Sequence, residues 1–120
     1  MDANKAVNFK LNLSLIDNAP VNTLIVRNNG NIYAKPKMKI TGRGIIHISL
    51  NDSHVFEINL DNQEFIVIDV AEMEAYKNDI LMNRYVTGDY DKFLLKAGKN
   101  EIRVEGKVIR IDIENFSRWI

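Results

Sequence analysis

A chain of 120 residues, 46% hydrophobic and 27% charged, has the length and composition of one globular domain, which excludes a disordered or fibrous polypeptide. Sixteen Lys and Arg balance sixteen Asp and Glu, so no overall field draws the chain to nucleic acid or to an anionic membrane. Cysteine is absent, which excludes a disulfide framework and a thiolate zinc site and leaves the core alone to hold the fold.

The opening Met1-Asp2-Ala3-Asn4-Lys5 lacks the charged-then-apolar layout of a secretory signal. No apolar run approaches the ~20 residues of a membrane helix, so the expectation is a soluble product. Period-two patterning then dominates, with β-branched residues in short runs separated by Gly, Asn, Asp and Lys. The first two runs are Val7 to Leu15 and Asn22 to Arg27, followed by the turn Asn28-Asn29-Gly30-Asn31. Lys37 to Thr41 and Ile45 to Leu50 come next, interrupted by Gly42-Arg43-Gly44, which fits a corner between sheets or a bulge.

Asn51-Asp52 suits a two-residue hairpin loop, because both residue types tolerate the left-handed backbone such turns require. The loop leads into His54 to Asn59, and Phe65 to Ile68 follows. Asp69 with Glu72 three residues on is a capping-box pattern, and Ala71 to Ala75 are good helix formers, so a two-turn helix is expected over Val70 to Lys77 with Met73 and Tyr76 on one core-facing stripe. Lys96-Ala97-Gly98-Lys99-Asn100 offers another glycine turn, and Glu105-Gly106 is expected to turn a hairpin between Asn100 to Val104 and Lys107 to Ile113. Eight short strands and one short helix predict a single all-β domain over residues 1 to 120, an antiparallel sandwich or jelly roll.

A hairpin turning at Asn51-Asp52 pairs Ser49 with His54, Ile48 with Val55 and His47 with Phe56, which makes His47 and His54 diagonal neighbours on one face. Two imidazoles there have no third ligand at a recognised spacing, so two solvated histidines are expected and no metal. Asp69 and Glu72 are explained by the cap, and Glu74 by exposure. Asp89 and Asp91 around Tyr90 lack the glycine and terminal glutamate of a calcium loop. Ser14, Ser49, Ser53 and Ser117 have no triad context, no phosphate-cradling glycine loop is present, and neither an enzyme nor a cofactor is expected. Tyr85, Tyr90 and Phe93 cluster between Asn78 and Leu95; they are candidates for stacking on a glycan or contacting a partner, although core packing is the commoner use of such a group. Trp119 is read as an anchor for the terminal strand.

The stretch from Asn28 to Gly44 contains an asparagine/glycine turn, the string Tyr33-Ala34-Lys35-Pro36 and the strand Ile40-Thr41-Gly42-Arg43-Gly44. In order after it come Ile48-Ser49-Leu50-Asn51-Asp52, Ile66-Val67-Ile68-Asp69 leading to Ala75-Tyr76-Lys77, Asn83, Thr87-Gly88-Asp89-Tyr90, Leu95 to Asn100, and Arg118-Trp119-Ile120. This ordered series resembles phage distal tail proteins over residues 20 to 120. Ala97 stands where the family often has proline, and Asn51-Asp52 where it often has an asparagine-glycine hairpin; both swaps keep the turn.

The resemblance implies the C-terminal, galectin-like domain of such a protein, located in the virion at the tail tip and in the host cytoplasm during assembly. In the family a separate N-terminal domain builds a hexameric ring. No such domain is expected in this chain, which is then an excised domain, a split gene product or a short family member, and monomeric when alone. The role implied is structural, through contacts with other tail-tip or baseplate proteins or the receptor-binding apparatus, with no nucleic acid partner. The alternative is a carbohydrate-binding module for host cell-surface polysaccharide, and a hydrolase with a dispersed site is a third reading.

Overall fold

The computed structural model describes residues 7–14, 21–30 and 32–117, with side chains over 21–30 and 32–114. The fold is all-β and antiparallel. Nine strands are present among the described residues: β1 Val7–Ser14, β2 Val21–Asn28, β3 Lys37–Leu50, β4 Ser53–Asn59, β5 Phe65–Asp69, β6 Glu74–Lys77, β7 Ile80–Leu81, β8 Val86–Gly88 and β9 Gly98–Ser117. Helical structure among them is limited to 3-10 turns at Asn83–Tyr85 and Tyr90–Lys92, and no helix is long and apolar enough to cross a membrane.

The long strands β3 and β9 pair along most of their length and belong to both halves of a bent sheet. In the first half-sheet the C-terminal part of β9 pairs with β1, and the N-terminal part of β3 pairs with β5, which continues through β6 to β7. In the second, the N-terminal part of β9 pairs with β2, and the C-terminal part of β3 pairs with β4, which carries β8. The inward faces of the two halves contribute to one apolar cluster, with Met38, Ile40, Ile66, Ile68, Ile111 and Ile113 from the first and Val26, Ile46, Ile48, Phe56, Ile58 and Val104 from the second. Each fully buried side chain of this size contributes about 1.5 to 3 kcal/mol of transfer free energy, which is how a cysteine-free chain stays folded.

Three corrections to the sequence reading have physical causes. The runs on either side of Gly42-Arg43-Gly44 form one strand, and so do those on either side of Glu105-Gly106, so the latter pair bends β9 instead of turning a hairpin. Register shifts fall at the bend, where β3 and β9 each cross from one half-sheet to the other. The bend is tied to the β4 to β5 connection by three backbone hydrogen bonds: Gly42 N–H donates to Glu64, Gly44 N–H to Asp61 and Leu60 N–H to Gly44. On β9 the inward phase also slips: Val108 and Ile111 are buried, while Ile109 and Arg110 between them are exposed.

The helix expected over Val70 to Lys77 is instead a turn followed by β6. The cap forms, since the Glu72 N–H donates to Asp69 Oδ1 at 3.1 Å. The helix does not propagate, because Met73 takes φ +57° and the Ala75 N–H is claimed by Asn83 Oδ1 at 2.6 Å, so pairing with β5 wins over local propensity. Met73 is consequently exposed and shares no stripe with Tyr76.

The Asn51-Asp52 hairpin forms as expected, with φ of 49° and 70° at the two loop residues and the pairs Leu50 with Ser53 and Ser49 with His54. Beyond them a bulge at Val55 shifts the register, so Ile48 faces Phe56 and His47 faces Glu57.

Two buried asparagines close the ends of the sheet. Asn28 Nδ2 donates to the carbonyls of Ile32 and Leu95, and its Oδ1 accepts from Gly30 N–H. Asn100 Oδ1 accepts from Lys96 N–H, and its Nδ2 donates to Lys96 and Gly98 carbonyls. Each amide satisfies backbone groups that a turn would otherwise leave unpaired in the interior.

Candidate functional site

The three aromatics pack on or in the core, Phe93 fully buried and Tyr85 and Tyr90 partly exposed. Phe93 is fully buried, with its ring stacked on Phe56 at 5.7 Å, and Tyr90 meets Phe56 edge-on at 5.2 Å. Tyr85 packs against the same core, and its ring and hydroxyl are engaged by Arg84, whose Nη2 donates to the hydroxyl at 3.2 Å. As a stacking platform for a ligand Phe93 presents no face, which corrects its place among the candidate contacts. The Tyr90 hydroxyl is buried with no hydrogen-bond partner among the described residues, and burial, then the charge of Glu74, push its pKa up. Asp89 Oδ1 accepts from Asp91 N–H at 2.9 Å, so that aspartate caps the second 3-10 turn. Trp119 and the Arg118-Trp119-Ile120 ending lie outside the described residues.

The second half-sheet carries His47 and His54 on its outer face with ring centroids 5.5 Å apart. His47 Nδ1 is 3.8 Å from Glu57 Oε1, and Glu105 lies opposite His47 on β9. Among the described residues no group of three or more His, Asp or Glu is arranged to hold a metal ion. His47 and His54 stand side by side on that face, with Glu57 and Glu105 beside His47.

A groove of about 360 Å³ crosses the outer face of the first half-sheet. Lys37 and Lys39 of β3, Val67 of β5, Tyr76 of β6 and Asp112 and Glu114 of β9 line it, with Ile113 contributing from between the two carboxylates. Alternation on β3 and β9 puts these side chains outward, and the register sets Lys37 opposite Glu114 and Lys39 opposite Asp112. Lys37 Nζ also lies 3.9 Å from Asp69 Oδ2. Partial burial alone would lower the Lys37 pKa, but Tyr76, Asp69 and Glu114 together outweigh it and hold the ammonium above its ordinary range. Arg110 Nε donates to Asp112 Oδ1 at 3.0 Å, which fixes that carboxylate. Lys39 Nζ and Lys77 Nζ lie 4.5 and 5.2 Å from the centroid of the Phe65 ring, covering an aromatic that the strand turns outward.

None of these groove residues stood out in the sequence as a site. The signal available was outward alternation in Lys37 to Thr41 and Lys107 to Ile113; what joins them is the pairing of two strands far apart in the chain. Comparison with protein-family models, with curated proteins and with solved structures gives no match.

Proposed function

We propose that this chain is a structural and interaction domain of a phage or prophage tail tip, a rigid β domain that contacts neighbouring tail or baseplate proteins or the receptor-binding apparatus and performs no catalysis. The observation that carries the reading is where the residues resembling phage distal tail proteins fall. Asn28 and Asn100 tie the sheet ends, Gly42 and Gly44 make the bend, Asn51-Asp52 turn the hairpin, Asn83 redirects the chain into β6, and Gly88 lies against the Val55 bulge. A likeness that takes in such joints as well as strand segments supports a common architecture, the galectin-like β domain. Within that reading the domain sits at the virion tail tip, displayed from a hexameric ring that other parts of the intact protein build, and is monomeric alone.

The experiment is co-purification of the full chain with each tail-tip protein encoded beside it, read by size-exclusion chromatography. A stable complex with at least one is expected. A neighbourhood without tail genes, or no complex with any of the encoded tail proteins, overturns the assignment.

A further inference from the structure

We propose that the outer edge of β2 takes an extended segment of another protein as an added strand, with β-branched side chains at alternate positions and a carboxylate where it passes Arg27. An unpaired strand edge presents a row of backbone N–H and C=O groups to any chain able to pair with it, so soluble proteins shorten, twist or charge their edges. Among the described residues the other edges are blunted in these ways. β7 is two residues long, β8 is three and lies between the two 3-10 turns, and β1 carries Lys10. By contrast β2 is eight residues long, contains no Lys, Pro or Gly, and pairs with β9 alone among the described residues, in unbroken register from Val21 to Asn28. Its one charge, Arg27, stands next to its end.

The side chains along that edge select the occupant. Val21, Thr23, Ile25 and Arg27 alternate outward and are exposed, which suits Thr, Val or Ile on a strand laid beside the first three. Arg27 stands directly opposite Lys99 on β9, a like-charge pair, and neither makes an ion pair among the described residues. Lys99 shares a surface depression with Lys96, Asp52 and Glu101, so three cations face two carboxylates at this end of the sheet and positive charge is left over. A carboxylate beside Arg27 meets that charge, whereas a basic side chain would put a third cation in the row. Asp17 precedes the opposite end of the strand, away from Arg27. Because β2 contains no Asp or Glu, a second copy pairing through its own β2 brings no carboxylate on that strand to Arg27, and a different protein fits better. The inference rests on the sheet edges and not on the tail-tip reading, so either can fail alone.

The test is selection on the full chain from a displayed library of random peptides about ten residues long, enough to span β2 at about 3.3 Å per residue, followed by NMR mapping of the enriched peptides. Enriched sequences should alternate β-branched residues and carry Asp or Glu toward one end. Amide shifts should centre on β2, and alternate β2 amides should gain protection from hydrogen exchange. Arg27→Glu should weaken an acidic peptide about fivefold and favour its lysine counterpart. Ile25→Lys, at an exposed position, should block pairing as edge lysines do, while Leu81→Lys on the β7 edge should bind as the wild type does. No enrichment, shifts centred on another edge or face, enriched peptides without a carboxylate, or an Arg27→Glu variant with unchanged preference would each overturn the proposal. A concentration-dependent dimer of the chain that protects the same β2 amides would overturn it in favour of self-pairing.

Discussion

Gly42 on β3 and Gly106 on β9 stand in a reciprocal relation across the bend of the sheet. A Cβ on Gly42 would collide with the carbonyl oxygen of Lys107, and one on Gly106 would come within 2.6 Å of the carbonyl oxygen of Ile45. Each strand therefore depends on a missing side chain in the other, and the two half-sheets can share their central pair only because the backbones close to that distance.

Gly42→Ala should destabilise the fold by about 2 to 3 kcal/mol, since backbone atoms on the opposing strand have nowhere to go, and Gly106→Ala at least as much, because its φ of +125° adds backbone strain to the same close approach. Gly44→Ala is the control: at φ +71° but with no atom within 4 Å of a new Cβ, it carries only the left-handed strain of about 1 kcal/mol. Urea denaturation measures all three. If Gly42→Ala loses no more than Gly44→Ala, close approach is not what that glycine provides.

The core position of Phe93 separates packing from recognition. Phe93→Ala removes a ring stacked on Phe56 and should cost about 3 to 5 kcal/mol, whereas Tyr85→Ala, at a half-buried position, should cost about 1 kcal/mol. Thermal and urea unfolding of both variants check the ranking, and near-equal losses would contradict it.

The same residues show how much of this molecule was legible beforehand. Alternation marked the inward positions of β3 and β9 because period two is a local property, and Asn51-Asp52 announced its hairpin because left-handed backbone selects those residue types. The helix over Val70 to Lys77 failed because propensity and a formed cap at Asp69 were outweighed by Asn83, a partner eight residues from Ala75 that no local window weighs. The Val55 bulge, the phase slip at Ile109 and the groove escaped for a related reason: each is set by which strand lies alongside. Lys39 and Asp112 are 73 positions apart in the chain, and nothing in either segment states that they meet.

Alkaline pH should weaken the fold through Tyr90 and Lys37. Burial and Glu74 raise the Tyr90 pKa in the folded chain, so between the unfolded value of about 10 and the higher folded value the native state keeps a proton that the unfolded state has released. Unfolding free energy then falls as pH rises; the contribution is fully present below about pH 10 and is lost as pH passes the folded pKa. Lys37, also raised, acts in the same direction from about 10.4 upward. Tyr90→Phe removes a buried hydroxyl that has no partner among the described residues, so its stability at neutral pH should stay within about 1 kcal/mol of wild type while its alkaline decline becomes shallower. Urea midpoints across the alkaline range test this, and an unchanged slope in Tyr90→Phe would assign the decline to other groups.

The β3 to β4 hairpin makes opposite demands on its two loop residues. Both have positive φ, so glycine suits either backbone, but only Asn51 is tied by its side chain: Nδ2 donates to Asn100 Oδ1 at 3.1 Å, and Oδ1 accepts from Glu101 N–H at 2.9 Å. Asp52 is exposed, and no side-chain hydrogen bond is seen for it among the described residues. Asp52→Gly should therefore stabilise by about 0.5 kcal/mol through relief of left-handed strain, while Asn51→Gly should destabilise by about 1 to 2 kcal/mol despite the same relief, because it removes both side-chain ties to β9 and leaves only the backbone bond from residue 51 N–H to Glu101. Asn51→Asp should fall between wild type and Asn51→Gly: the acceptor for Glu101 N–H survives, but the donor to Asn100 is lost. Denaturant unfolding of the three variants gives the order, and a stabilised Asn51→Gly would mean that backbone conformation at residue 51, not the bridge to Asn100 and Glu101, is what the hairpin requires.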